Sequence, residues 1–142
     1  MARSLAASWN IPYWDTDEIF VQEHSQSIAD YVLKQGWEAF RKAESDILLK
    51  TQRWLSASES SFSETKIDQQ YQGIVACGGG IVESEINRAF LAGQRLLWLN
   101  PPWELLVSRI RQNPSAFCAG KSEQELYKDF RRRCILYRDL LS

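Results

Sequence analysis

Two short apolar runs that end in chemically distinctive residues constrain the fold of this 142-residue chain more than any other feature. Residues 10–14 form one run, which ends at Asp15, and residues 73–77 form a second, which leads into three glycines. Such short, nearly continuous apolar runs are typical of strands that are buried on both faces of a parallel sheet. Residues 95–100 form a third run of the same kind, followed by two prolines.

Helical patterns separate these runs. Ser27 is a candidate N-cap for a helix that ends at Gly36, and a second helix is expected over residues 37–55. Short strands that alternate with helices predict an α/β fold, a three-layer sandwich with a parallel sheet covered on both faces. The remaining helices are expected over residues 84–92, over residues 103–112, and from a capping box at Ser122 and Glu125 to about Leu140.

The composition indicates one soluble domain over residues 1–142, with 44% apolar and 25% charged residues. No apolar run approaches the roughly 18 residues that span a bilayer, and a net charge of −1 gives no general affinity for nucleic acid or membrane. The three cysteines lack metal-binding spacing and are expected to be reduced thiols in a cytoplasmic protein. Residues 56–72, rich in Ser, Glu and Gln, predict a mobile surface insertion.

The residues that follow the first two strands are candidates for chemistry, since ligands bind at the carboxyl ends of parallel strands. Asp15 and Asp17 can hold a hydrated magnesium ion or accept hydrogen bonds from substrate hydroxyls. The alternative is that Asp15 or Thr16 only caps the next helix. Gly78, Gly79 and Gly80 allow the backbone to approach a ligand closely, or form an ordinary tight turn.

Two further patterns place arginines on helices. Arg41 and Glu44 are three residues apart on one helix face, where a carboxylate can orient an arginine toward an anion. A surface salt bridge is the alternative. Near the end of the chain, Arg131, Arg132 and Arg133 form either a solvated basic face or an anion-binding cluster.

The order of these patterns resembles the shikimate kinase family. Asp-Thr-Asp at 15–17, Gly-Trp-x-x-Phe-Arg-x-x-Glu at 36–44, the three glycines at 78–80 and Arg-x-x-Leu-Tyr at 133–137 follow one another as they do in that family. The resemblance covers nearly the whole chain. It implies a P-loop kinase-like fold and ATP-dependent, magnesium-assisted phosphorylation of the 3-hydroxyl of shikimate.

The resemblance also implies roles for particular residues. Asp17 is expected to bind the shikimate hydroxyls and to help activate the attacking one. Arg41 and Arg133 are expected to bind the substrate carboxylate, with Glu44 orienting the site. The backbone of residues 78–80 is expected to line it. Asp15 is expected near the magnesium ion, acting through water.

The sequence departs from the family at the phosphate-binding loop. The motif Gly-x-x-x-x-Gly-Lys-Ser/Thr is absent, and residues 1–6 resemble the helix that follows that loop. We therefore expect a chain that lacks about 14–20 residues of the family's N-terminus, namely the P-loop and the central strand before it. That strand is expected between the runs at 73–77 and 95–100. The family's last strand is also expected to be missing after Ser142.

A second departure lies after the helix at 103–112, in the segment that forms a mobile lid in this family. The family carries an Arg-Pro pair there, and its arginine stabilises the transferring phosphoryl group. Residues 111–118 contain no such pair, so no lid arginine is identifiable; Arg109 or Arg111 would replace it only in a lid that folds differently.

Three functions compete. The first is an ATP-dependent shikimate kinase, a monomer with shikimate and ATP as its ligands and with neither nucleic acid nor membrane as partner. The second is a catalytically inactive shikimate-binding or regulatory module that retains the acid pocket. The third, a related P-loop kinase for gluconate or a nucleotide, fits the arginine and glycine pattern less well.

Overall fold

A computed structural model describes residues 1–58 and 73–142 of the chain. The described residues form two short strands, and helices lie before and after each strand along the chain. The elements are α1 (Ala2–Trp9), β1 (Tyr13–Asp15), α2 (Thr16–His24), α3 (Ile28–Ser58), β2 (Ile74–Ala76), a 3₁₀ helix (Ile81–Glu83), α4 (Glu85–Leu91), α5 (Trp103–Gln112) and α6 (Glu123–Leu141). None of the described helices is long and apolar enough to cross a membrane.

The two strands pair in parallel, as predicted. Tyr13 lies opposite Ile74, and Asp15 lies opposite Ala76. The last residues of the two strands are therefore neighbours. This register brings the polar residues after β1 and the glycines after β2 to the same edge of the sheet.

Helix α3 contains the two helices that were predicted on either side of Gly36. The backbone at Gly36 leaves the helical region, with φ 84° and ψ 168°, a conformation that glycine adopts without steric cost. The backbone N–H of Asp30 donates to Ser27 Oγ at 3.0 Å, so Ser27 is the predicted cap. The helix continues to Ser58, three residues beyond the expected end, and residues 59–72 of the predicted insertion lie outside the described residues.

The core consists of two apolar clusters that share α3. One contains Leu48 with Ile81, Val82 and Leu91, and the other contains Phe20, Phe40 and Ile47. Leu48 and Ile47 are adjacent in sequence but face different clusters. Helix α3 is thereby fixed on two sides, and so is the turn of α3 that carries Arg41 and Glu44.

The prediction of a third strand over residues 95–100 is wrong for the described structure, since this segment has no strand assignment. The side chains still alternate as in a strand: Leu96 packs on the core and Trp98 stacks on Tyr137, whereas Leu97 and Leu99 are 75% and 56% exposed. A strand also needs a hydrogen-bonded neighbour. In the described part of the chain the sheet has two strands, and this segment pairs with neither of them.

Candidate active site

Asp15 ends β1 and begins α2 without an intervening loop. Its side chain accepts hydrogen bonds from the backbone N–H groups of Asp17 (2.9 Å) and Glu18 (3.2 Å). Asp15, rather than Thr16, is therefore the helix cap that the sequence left open as an alternative. The cap fixes the first turn of α2, and this turn carries Asp17.

Asp17 faces the glycines that follow β2. A Cβ atom at Gly78 would lie 3.1 Å from Asp17 Oδ1, so only a glycine leaves the carboxylate its full room. Burial raises the pKa of the Asp17 carboxyl above its ordinary value, and the charge of Asp15 raises it further, while Arg41 acts in the opposite direction. The carboxylate is thus close to a cation but poorly solvated.

Arg41 and Glu44 form a largely buried pair, so the alternative of a surface salt bridge is wrong. Arg41 Nη1 donates to Glu44 Oε2 at 2.7 Å, and the Glu44 side chain is only 3% exposed. The Arg41 guanidinium also lies 5.5 Å from the ring centre of Trp37 and 5.3 Å from that of Phe40. These contacts orient the guanidinium toward Gly80, where a Cβ atom would overlap it.

Arg133 reaches the same place from α6. Its Nη1 atom would lie 3.9 Å from a Cβ atom at Gly79, and its Nη2 atom is buried without a hydrogen-bond partner. Tyr137, one turn further along α6, donates its hydroxyl proton to the Gly79 carbonyl at 3.3 Å. The structure therefore brings the predicted residues together: each of the three glycines faces a different charged side chain. The glycines also form a turn, in which Ile81 N–H donates to the Gly78 carbonyl at 3.1 Å.

A cavity of about 320 Å³ adjoins this cluster, and half of its lining residues were missed by the sequence analysis. Arg41 is the predicted site residue in it, Trp37 belongs to the motif at 36–44, and Arg132 belongs to the arginine cluster near the end of the chain. The other lining residues lie far from Arg41 along the chain, so only the folded chain reveals them. They are Glu83, Phe117 and Lys121.

The two arginines considered for the lid do not line this cavity. Arg111 instead donates to Glu123 at 2.5 Å, with its side chain 69% exposed. Phe117 occupies the corresponding stretch and lies against Arg133, with the guanidinium carbon 3.8 Å from the ring centre.

A metal ion would need ligands from the His, Cys, Asp or Glu side chains of the chain. In residues 1–58 and 73–142 there is no group of three or more His, Cys, Asp or Glu side chains that could hold a metal ion. Asp15 Oδ1 already accepts two backbone N–H groups, and Oδ2 accepts the Tyr13 hydroxyl at 3.2 Å. This donor set suits a contact with a hydrated ion through water rather than a direct bond.

Comparison with solved structures identifies the fold. A shikimate kinase from Acinetobacter baumannii, solved in complex with shikimate, superimposes with a TM-score of 0.75 over 98% of this chain and 70% of that chain, at 24% identity. A shikimate kinase from Aquifex aeolicus gives a TM-score of 0.73 over 97% of this chain and 73% of that chain, at 21% identity. The chain therefore has the α/β fold of these two proteins.

Sequence comparison gives the family. The family model described as shikimate kinase matches residues 1–141. The chain is 32% identical over 117 residues to shikimate kinase 2 of Syntrophotalea carbinolica, covering 82% of this chain and 58% of that protein. It is 30% identical over 144 residues to the Rhodococcus jostii shikimate kinase, covering 100% of this chain and 76% of that protein. The chain belongs to the shikimate kinase family.

The predicted family and the α/β kinase-like fold class are therefore confirmed. Shikimate kinases phosphorylate shikimate with ATP, which is the function predicted from the sequence. The chain spans 58% of the length of the Syntrophotalea protein, less than two thirds of it.

Proposed function

We propose that the site around Gly78–Gly80 binds shikimate and that the chain supplies the substrate-binding part of an ATP-dependent shikimate 3-kinase. One observation carries this proposal. Asp17, Arg41 and Arg133, which belong to three different helices, each face one of the three consecutive glycines. Two guanidinium groups and one carboxylate around bare backbone suit a ligand that bears both an acid group and hydroxyls.

The two arginines supply the binding site for the acid. A planar guanidinium binds a carboxylate through two parallel N–H donors. Arg41 is held by Glu44 at 2.7 Å, and the buried Nη2 of Arg133 still needs an acceptor. A substrate carboxylate between them would satisfy that donor, because leaving it unpaired is costly.

Asp17 supplies the acceptor for the substrate hydroxyl. Its raised pKa, which results mainly from burial, makes the carboxylate a stronger base than an exposed aspartate. In the proposed role, Asp17 accepts a hydrogen bond from the attacking hydroxyl and takes its proton as the hydroxyl oxygen bonds to the γ-phosphorus of ATP and ADP leaves. Gly78 leaves room for the hydroxyl beside this carboxylate.

ATP and Mg²⁺ are the proposed co-substrate and metal ion. In phosphoryl transfer the metal ion neutralises charge that develops on the phosphate oxygens. Among the described residues, Asp15 fits a water-mediated contact with this ion, since its oxygens already hold the start of α2. A cytoplasmic location and a monomeric state stay predictions, and the free thiols of Cys77, Cys118 and Cys134 support the former.

Calorimetry with shikimate tests the proposal, and α6 offers a matched pair of variants. Arg133 faces the glycines, whereas Arg131 is exposed on the same helix. Arg133→Ala is expected to raise the dissociation constant at least about tenfold, since charged hydrogen bonds contribute about 1.5–3 kcal/mol. Arg131→Ala is expected to leave it unchanged. A folded chain that does not bind shikimate contradicts the proposal.

The reaction is tested separately by ³¹P NMR with shikimate, ATP and Mg²⁺. Formation of a shikimate phosphate ester that requires all three supports the kinase. Shikimate binding without any turnover supports the second candidate, a module that binds the acid without phosphorylating it.

A further inference from the structure

Glu83 joins two arginines of α6 beside the candidate site. It lies three residues after Gly80, at the end of the 3₁₀ helix, and its side chain is 17% exposed. Glu83 Oε1 accepts from Arg133 Nε at 2.8 Å and from Arg132 Nη2 at 2.8 Å, while Oε2 accepts from Arg132 Nη1. One carboxylate is therefore fixed by three hydrogen bonds from neighbouring arginines.

The bond to Arg133 uses the edge of the guanidinium that is closest to the helix backbone. It leaves Nη1 directed at Gly79 and Nη2 buried without a partner. Phe117 covers one face of the group at 3.8 Å. The guanidinium thus cannot turn freely, and the two nitrogens that stay available are those at the far end of the side chain.

We propose that Glu83 is a positioning residue for substrate binding, which holds Arg133 so that its terminal nitrogens meet the carboxylate of the substrate. This inference rests on the proposed function, because Arg133 must bind that carboxylate. Glu83 itself does not contact the substrate in this proposal.

A chain of alternating charges keeps Glu83 in place. Arg132 binds both Glu83 oxygens and also donates to Asp129 at 3.3 Å, and Lys121 donates to Asp129 at 2.6 Å. These groups connect α6, the segment before it and the 3₁₀ helix after the glycines. The position of the Glu83 carboxylate is therefore determined by three parts of the fold.

The direction in which the affinity for shikimate changes distinguishes a positioning role of Glu83 from an effect of its charge alone. Removing Glu83 removes a negative charge from the neighbourhood of an anionic ligand, and by Coulomb's law this alone would tighten binding. Removing the bond that orients Arg133 would weaken binding, because the guanidinium loses its alignment. Positioning therefore predicts weaker binding in spite of a more favourable net charge.

Shikimate binding by calorimetry to Glu83→Ala, Glu83→Gln and the control Glu85→Ala is the test. Glu83→Ala is expected to bind about tenfold more weakly, a difference of about 1.4 kcal/mol. Glu83→Gln retains an oxygen that accepts from Arg133 Nε, so its affinity is expected within about threefold of the unmodified chain. Glu85 is exposed at the start of α4, and its removal is expected to change nothing. Equal or tighter binding by Glu83→Ala overturns the inference.

A second measurement does not depend on shikimate and serves if Glu83→Ala fails to fold. In ¹⁵N NMR spectra the Nε–H proton of Arg133, assigned with Arg133→Lys, is expected to exchange slowly with solvent in the unmodified chain and in Glu83→Gln. An Arg133 Nε–H that exchanges as fast as that of exposed Arg131 in the unmodified chain overturns the inference. If the unmodified chain binds no shikimate, the proposed function fails; if it binds shikimate and Glu83→Ala binds equally well, only the role of Glu83 fails.

Discussion

Alanine at position 80 is expected to disable the candidate site while leaving the fold intact. The backbone of Gly80 has φ −92° and ψ 0°, which alanine also adopts, so the added methyl group causes no backbone strain. The methyl group would instead overlap the guanidinium of Arg41. The substitution is therefore a steric probe of one side chain.

The size of the effect follows from the displacement that the methyl group requires. Ordinary contact between heavy atoms occurs at roughly 3.5–4 Å, so the guanidinium must move by about 1 Å or more. A displacement of about 1 Å at a binding or catalytic group can cost about 100-fold. The side chain of Arg41 is long and flexible, and it can move while it stays near Glu44. We therefore expect a loss of stability of no more than about 1 kcal/mol.

The assay is a double-mutant cycle read by shikimate calorimetry and by urea unfolding. Gly80→Ala alone is expected to raise the dissociation constant by about 100-fold, but in an Arg41→Ala background it is expected to have little further effect. Gly93→Ala is the control, because a Cβ atom there meets only the Phe90 carbonyl at 3.7 Å. If Gly80→Ala weakens binding equally in both backgrounds, the steric reasoning about Arg41 is refuted.

Two further predictions concern the buried carboxylates. Asp17→Asn is expected to raise the free energy of unfolding at pH 7.5 by on the order of 1 kcal/mol while it weakens shikimate binding. The folded-state pKa of Asp17 lies above its unfolded value, so the ionised group opposes folding at neutral pH; the gain should disappear as the pH falls below about 4, and urea unfolding across this range measures it. Arg41→Ala is expected to lower the free energy of unfolding by about 3 kcal/mol at pH 7.5, because Glu44 then remains buried without its partner. Burial already raises the pKa of Glu44, so this loss of stability should shrink as the pH falls and Glu44 takes up a proton. The double variant Arg41→Ala/Glu44→Gln should recover most of the lost stability in thermal unfolding. A loss that is the same at pH 5 and pH 8 would contradict this account.

Apart from Arg133, which only the family resemblance indicated, the residues predicted from the sequence are those whose geometry is local. Asp15 and Asp17 follow a strand, Arg41 and Glu44 share a helix turn, and the three glycines are consecutive. In each case the spacing along the chain determines which side chains lie together, once the strands are known to be parallel.

The interactions that the sequence analysis missed join residues across long separations. Glu83 and Arg133 are 50 positions apart, and nothing in the sequence around either one specifies the other. The expected third strand also depends on a contact that the local sequence does not specify. Its side chains alternate between partly buried and exposed in residues 95–99, but whether an extended segment joins a ladder depends on a neighbour elsewhere in the chain.

Strand β1 runs directly into helix α2 at Asp15, so the position of the helix depends on the register of the strand. A slip of β1 by one residue against β2 would turn every side chain of the strand to the opposite face. The same slip would carry the start of α2 along with the strand, because the Asp15 carboxylate holds the N–H groups of Asp17 and Glu18 within the same stretch of chain. A misregistered strand would therefore displace the Asp17 carboxylate from Gly78 even with the helix cap intact, so only a correctly paired chain places that carboxylate in the site.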